Sequence, residues 1–160
     1  MAGRGVLLGE QFAAATGATL LDDPTLVDLA GQPTLLQHGD SLCTRDESYQ
    51  AFRSVARDPR WQAELLERPL AERRAIAAQL REHSAEATSN KAEDIMDVTP
   101  NEVDKIMSKF GARRLIHGHT HRPARHEVAQ GERLVLGDWD AEGWYIRAGA
   151  NDMDLIYFSI

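Results

Sequence analysis

The sequence has 160 residues and a formal net charge of −7, so it lacks the basic surplus that a dedicated nucleic-acid-binding protein normally carries. Apolar residues make up 42% of the chain, enough to predict a folded domain, and the single cysteine excludes an internal disulfide and any multi-cysteine metal site. No apolar run approaches the length of a membrane-spanning helix, and a reducing, cytoplasmic compartment is expected.

The beginning of the chain predicts a helix followed by a β-hairpin. Residues 1–15 are expected to be helical, with a turn at Gly17. Two short strands are expected over residues 25–29 and 34–38. The sequence Ala-Gly-Gln-Pro between them is typical of a turn, so the two strands are expected to pair as a hairpin.

The segment from Asp46 to about Lys91 has a helical pattern. Asp46 is a candidate N-cap, and Pro59 and Pro69 are expected to divide the segment into separate helices. Residues 53–91 carry eight bases and six acids, net +2, whereas the rest of the chain carries ten bases and nineteen acids, net −9. A locally basic helical insert is therefore expected inside an acidic protein.

The second half of the chain predicts one amphipathic helix followed by strands. The sequence Thr-Pro-Asn-Glu, from Thr99 to Glu102, is a candidate capping box, and the helix is expected to end at Gly111. Its apolar face consists of Val103, Ile106, Met107 and Phe110. Strands are expected over residues 114–116, 133–136, 144–148 and 155–159. This order of elements predicts an α/β or α+β fold with a helical excursion.

Three of the six histidines lie within residues 117–121, directly after a predicted strand. In extended backbone, residues two apart point to the same side, so His119 and His121 are expected to aim at one point. Neutral imidazoles suit Zn, Mn, Fe or Ni ions. His38 ends another predicted strand, and Asp40 is placed either to ligate a metal directly or to orient that imidazole. Ordinary surface or core histidines are the alternative interpretation.

The residues alone leave three functions open. A two-metal site that cleaves phosphoesters needs many ligands, usually with a bridging carboxylate, and His38, His119 and His121 supply only part of such a set. The chain is then part of a two-metal hydrolase, a non-catalytic module that binds one metal, or a mononuclear hydrolase with three protein ligands and water.

Three blocks of the sequence carry a resemblance to a known family: HGDSLCTRDESYQAFR, SNKAEDIMDV and LIHGHTHRP. They resemble the UDP-2,3-diacylglucosamine diphosphatases, bacterial enzymes of lipid A biosynthesis in the calcineurin-like metallophosphoesterase superfamily. The similarity runs along nearly all 160 residues. It implies a four-layer αββα sandwich with a helical cap over about residues 46–95. It also implies two Mn²⁺ ions and hydrolysis of UDP-2,3-diacylglucosamine to UMP and 2,3-diacylglucosamine 1-phosphate (lipid X), at the cytoplasmic face of the inner membrane.

The resemblance also implies roles for individual residues. Matches to the family's metal ligands are His38, His119 and His121. Matches to its substrate contacts are Arg4, Asp46, Ser84, Lys91 and His119. Thr88 stands at a further substrate-contacting position, where the family often has Asn. No catalytic residue is implied beyond the metal ligands. The apolar side chains of the insert are expected either to cover acyl chains or to pack onto the domain.

The start of the chain departs from the family pattern. The family's sheet begins with Asp-x-His, Gly-Asp and then Gly-Asn-Arg/His-Asp, and the first two motifs do not occur here. Ala2–Gly5 aligns with the third motif, with Gly3 at the metal-ligating Asn, Gly5 at the Asp, and Arg4 kept. We therefore expect the chain to match about the C-terminal two-thirds of the usual length. A truncated gene or a misplaced start is favoured over a deliberate fragment or a real short protein. The sandwich and the two-metal site are then expected to be incomplete.

Overall fold

The computed structural model describes residues 9–84, the backbone of 85–89, and residues 92, 95–150 and 152–160. The helices in these ranges are α1 (Glu10–Thr16), α2 (Glu47–Ala56), α3 (Pro59–Glu67), α4 (Leu70–Ser89) and α5 (Pro100–Phe110), with a 3₁₀ turn at Asp40–Leu42. The strands are β1 (Thr25–Leu29), β2 (Gln32–Gln37), β3 (Arg114–His117), β4 (Ala124–Val128), β5 (Gly131–Val135), β6 (Glu142–Ala148) and β7 (Met153–Ser159).

Five strands form a mixed sheet in the order β1-β2-β3-β5-β4. The three inner strands are parallel to one another, and the two edge strands are antiparallel to their neighbours. Strands β6 and β7 form an antiparallel hairpin and, among the residues that the structure describes, pair with no other strand. The fold is therefore mixed α/β, as the sequence predicts.

The inner strands of the five-stranded sheet pack against an apolar cluster on each face. Side chains on neighbouring positions of a strand point to opposite sides, so one strand contributes to both clusters. On one face, Leu115 lies in a cluster with Val103 and Met107 of α5. On the other face, Ile116 packs with Leu134 of β5 and Met153 of β7. Helix α5 and the β6–β7 hairpin thus pack on opposite faces of strand β3, whose end carries part of the candidate site.

Most of the predicted elements are confirmed. The β1–β2 hairpin forms, Pro59 opens α3 and Gly17 and Gly111 end helices in the left-handed conformation. Strand β4 was not predicted. The capping box is wrong, because Thr99 makes no side-chain capping hydrogen bond. Its hydroxyl pairs instead with the Thr44 hydroxyl at 2.8 Å.

The helical insert is largely exposed. Helices α2 and α3 contain no buried residue, and the Asp46 and Asp58 side chains cap their N-termini. Large exposed hydrophobic side chains on α2–α4 are Phe52, Val55, Leu66 and Leu70. Among the helices of the described residues, none has an apolar stretch long enough to cross a bilayer.

Candidate functional site

The candidate site lies where two neighbouring parallel strands end. The pairing of β2 with β3 places Gln37 beside His117, so the loops that follow both strands leave the sheet at the same edge. One loop carries His38 and Asp40, and the other carries residues 118–121. The Gly118 N–H donates to the His38 carbonyl at 3.1 Å and joins the two loops directly.

His38 and His119 are brought together as the sequence predicts. Their ring centroids are 5.1 Å apart at an interplanar angle of 65°. The Nε2 atom of His38 and the Nδ1 atom of His119 are buried and have no hydrogen-bond partner within the described residues. Buried polar atoms are almost always paired, so this pair of nitrogens marks a place for a further polar group or ion.

Electrostatics favours the neutral form of both imidazoles. Burial lowers the pKa of His38, and burial, followed by the nearby His38 ring, lowers the pKa of His119 to about 4. Metal coordination requires a neutral imidazole with a free lone pair. The two side chains therefore fit a divalent transition metal chemically.

The third predicted ligand, His121, is oriented differently from the expectation. His119 and His121 have φ angles of 65° and 53°, so this backbone is not extended and the two-residue alternation does not apply. The Nδ1 atom of His121 lies 3.5 Å from an Asp138 carboxylate oxygen. In the part of the chain that the structure describes, no three His, Cys, Asp or Glu side chains are placed to hold one metal ion. A common ligand set of His38, His119 and His121 stays a prediction.

Asp40 is 1% exposed and is held by the helical insert. Its Oδ2 atom accepts from Arg53 Nε and Arg57 Nη2, each at 3.0 Å. Burial alone would raise the pKa of this carboxyl group, but the two guanidinium groups outweigh burial and lower it. The Oδ1 atom is buried without a hydrogen-bond partner in the described residues, so it retains the capacity to accept from or ligate a further group.

Sequence reasoning missed the side chains that fasten α2 to the site. The ring of Tyr49 lies 4.8 Å from the ring of His119, and Arg53 and Arg57 hold Asp40. These three residues are spaced four apart, and this spacing places them on one side of a helix. The sequence could therefore have predicted that they face the same neighbour.

The predicted substrate contacts are spread over the insert. Asp46 is buried, and its carboxylate accepts from the Tyr49 N–H and the Ser48 hydroxyl, both at 3.0 Å. Ser84 is exposed on α4, and Thr88 belongs to the same helix. Arg4 and Lys91 lie outside the described residues.

Comparison with known proteins agrees with the resemblance. No family model matches the chain. The chain is 54% identical over 156 residues to the UDP-2,3-diacylglucosamine hydrolase of Cellvibrio japonicus, covering 95% of this chain and 65% of that protein. It is 55% identical over 149 residues to the Chromohalobacter salexigens protein of the same name, covering 90% and 61%. For the Pseudomonas aeruginosa protein of that name, identity is 49% over 152 residues, covering 92% and 63%. The chain thus spans slightly less than two-thirds of the length of these relatives.

Proposed function

We propose that the chain, which matches UDP-2,3-diacylglucosamine hydrolases over nearly its whole length, belongs to their family and serves the reaction named for it. The reaction is hydrolysis of the pyrophosphate bond of UDP-2,3-diacylglucosamine in lipid A biosynthesis. Its products are UMP and 2,3-diacylglucosamine 1-phosphate. The observation that carries the proposal is the pair of buried, unpartnered imidazole nitrogens on His38 and His119.

The metal of this reaction is proposed to be Mn²⁺. His38 offers Nε2 and His119 offers Nδ1, and His121 would join them after turning away from Asp138. When bound, a divalent cation supplies Lewis-acid chemistry at a phosphoryl oxygen and activates water. Three imidazoles suffice for one ion, and a second ion needs ligands beyond these three.

The chain's own residues are proposed to bind and orient the substrate. Asp46, Ser84 and Thr88 can hydrogen-bond hydroxyl and amide groups of the sugar. Lys91 and Arg4 supply positive charge for the phosphates. Tyr49 packs against His119 and limits the ways in which that imidazole can turn.

The helical insert, residues 46–95, is proposed to act as a cap that meets the acyl chains. Its exposed apolar side chains, among them Phe52 and Leu66, offer surface for hydrocarbon. Residues 53–91 within it carry a net charge of +2, which suits contact with anionic headgroups at the cytoplasmic face of the inner membrane. In the complete architecture, the five-stranded sheet is proposed to be one half of a four-layer αββα sandwich.

The experiment measures UMP release from UDP-2,3-diacylglucosamine with Mn²⁺ by a full-length enzyme of the family in which these 160 residues form the C-terminal part. Release is expected in the wild type of this enzyme and is expected to be lost in its His119→Ala variant. The control is His83→Ala, which removes an exposed imidazole at a position that matches no family ligand. Equal activity in the wild type and His119→Ala would reject the assignment of His119.

The purified 160-residue chain separates catalysis from binding. Metal content and lipid X binding are measured alongside turnover. Bound Mn²⁺ and bound lipid X without UMP release would favour the non-catalytic binding module. Fewer than about one-tenth of an ion per chain, together with no lipid X binding, would reject that module.

A further inference from the structure

His117, two residues before His119, lies at the centre of a chain of polar contacts that runs from Gly118 through Arg133 to Asp97. It ends β3, is almost fully buried and has both ring nitrogens engaged. Its Nδ1 atom lies 2.9 Å from the Gly118 carbonyl oxygen, and its Nε2 atom lies 3.3 Å from Arg133 Nη1. The Arg133 guanidinium lies 3.7 Å from the Asp97 carboxylate. His117 therefore has no nitrogen left to ligate a metal.

The chemistry of the partners selects one tautomer of His117. A guanidinium group only donates, so Nε2 must accept from Arg133. The Gly118 carbonyl only accepts, so Nδ1 must carry the proton. Asp97 adds an ion pair that keeps the Arg133 guanidinium in place. The Nδ1–H tautomer thus follows from the two fixed neighbours.

The His117 ring also touches the loop that carries His38. A Cβ atom built on Gly39 would lie 2.7 Å from His117 Nδ1, so only glycine permits the observed approach. Gly39 has a φ of 103°, which also favours glycine. Through Nδ1, His117 therefore contacts both loops: it bonds to Gly118 in one and packs against Gly39 in the other.

We propose that His117 is a positioning residue, held in its Nδ1–H tautomer by Arg133 and Asp97, that keeps the two loops bearing His38 and His119 in register. This role rests on the proposed function, because holding the two loops in place matters for metal binding only if His38 and His119 are the ligands. Side chains behind a metal site that orient its ligands commonly change metal affinity about 10–100-fold when they are replaced.

The test substitutes Arg133 and observes the histidine rings directly. In the ¹⁵N-labelled 160-residue chain, long-range ¹H–¹⁵N spectra identify the tautomer of each imidazole. His117 is expected to be the Nδ1–H tautomer in the wild type and in Arg133→Lys, which keeps a donor. In Arg133→Met it is expected to become a mixture of tautomers, and the ring resonances of His38 and His119 are expected to shift.

The matched control is Arg114→Met. Arg114 is the first residue of β3 and His117 is the last. Like that of Arg133, the Arg114 side chain is largely buried, and it bonds to Glu132 and to the Leu29 carbonyl. This variant is expected to lose stability while the three histidine spectra stay as in the wild type. A purely structural role of Arg133 would make the two arginine variants alike.

Two results overturn the inference: an Nε2–H tautomer of His117 in the wild type, or unchanged His117, His38 and His119 spectra in Arg133→Met. The affinity for Mn²⁺ alone, measured on the same samples, is expected to fall about tenfold or more in Arg133→Met. Wild-type chain that shows the expected tautomer but binds no Mn²⁺ would reject the proposed function and leave the positioning role supported.

Discussion

The Asp40 carboxylate and the Arg57 guanidinium lie 3.0 Å apart and join the loop after β2 to the end of α2. Arg57 also reaches Asp23 at 3.4 Å, and the Asp23 carboxylate accepts from the His38 N–H at 3.1 Å. The helical insert is therefore attached to the candidate site by these ion pairs, together with the packing of the Tyr49 ring against His119.

Asp40→Asn is expected to destabilise the protein by about 3 kcal/mol. Removing one partner of a buried ion pair leaves the other charges uncompensated, and the lower end of the usual range applies because Arg53 and Arg57 keep some contact with water. Urea unfolding at pH 7 measures the loss.

The control for Asp40→Asn is Asp154→Asn. The Asp154 carboxylate pairs with Arg147 at 2.7 Å, a shorter distance, but the two side chains are 46% and 66% exposed. Exposed ion pairs contribute little to stability, because water screens them. A loss in Asp40→Asn no larger than in Asp154→Asn would show that the insert is held in another way.

Gly39→Ala is expected to be more destabilising than Gly17→Ala. Both glycines have positive φ angles, so both substitutions carry a backbone cost of about 1 kcal/mol. A Cβ at Gly17 would meet nothing within 4 Å, whereas a Cβ at Gly39 would press against the His117 ring. Thermal unfolding of the two variants compares them. Equal losses would contradict the close approach of Gly39 to His117.

Stability is expected to fall as the pH drops from about 6.5 towards 4. Burial lowers the folded-state pKa of His117 and His119 from 6.5 to about 4, so the unfolded chain binds protons in this range and the folded chain does not. More protons bound by the unfolded state means that acidification favours unfolding, on the order of 1–2 kcal/mol for each histidine at pH 5. Asp40, whose pKa is lowered, adds a further loss only below about pH 4.

The measurement is urea unfolding at pH 7.5, 6 and 5 without metal. His119→Gln removes one of the titrating groups, so its loss of stability between pH 7.5 and pH 5 is expected to be smaller than that of the wild type. An identical pH dependence in both proteins would show that the His119 imidazole is not desolvated in the folded state.

The sequence predicted elements well where local periodicity carries the information. The apolar spacing of α5 and the turn residues of the β1–β2 hairpin are local features, and both elements form where expected. Strand β4 has the sequence Ala-Arg-His-Glu-Val, with three polar residues at its centre. It is a strand because it pairs with β5, and this interaction with a neighbour leaves little trace in hydrophobic patterning.

At the candidate site, the sequence predicted which loops meet but not how their side chains are held. His38 and His119 were predicted to belong to one ligand set with His121, and their ring centroids lie 5.1 Å apart. The different orientation of His121 arises from positive φ angles that a non-glycine residue seldom adopts, so no sequence rule anticipates them. The partner of His117, Arg133, is 16 residues away in sequence and becomes its neighbour only through the pairing of β3 with β5.

The start of α5 shows how a tertiary contact replaces a local motif. In a capping box, the Glu102 side chain would accept from the Thr99 N–H, but that N–H donates to the Leu42 carbonyl at 2.9 Å. Glu102 instead pairs with Lys105 at 2.7 Å, and the Thr99 hydroxyl pairs with Thr44. Hence Thr99 connects α5 to the loop that follows the 3₁₀ turn.

A double-mutant cycle distinguishes the two arrangements. Thr44→Val and Thr99→Val are each expected to lower the free energy of unfolding by about 1 kcal/mol. Because both single variants break the same hydrogen bond, the double variant is expected to lose less than the sum, with a coupling energy of about 0.5–1 kcal/mol. Glu102→Ala is expected to cost less than about 0.5 kcal/mol, since it loses only an exposed ion pair. If the losses of the two threonine variants are additive and Glu102→Ala loses more than this, the capping box is supported and the Thr44–Thr99 hydrogen bond is rejected.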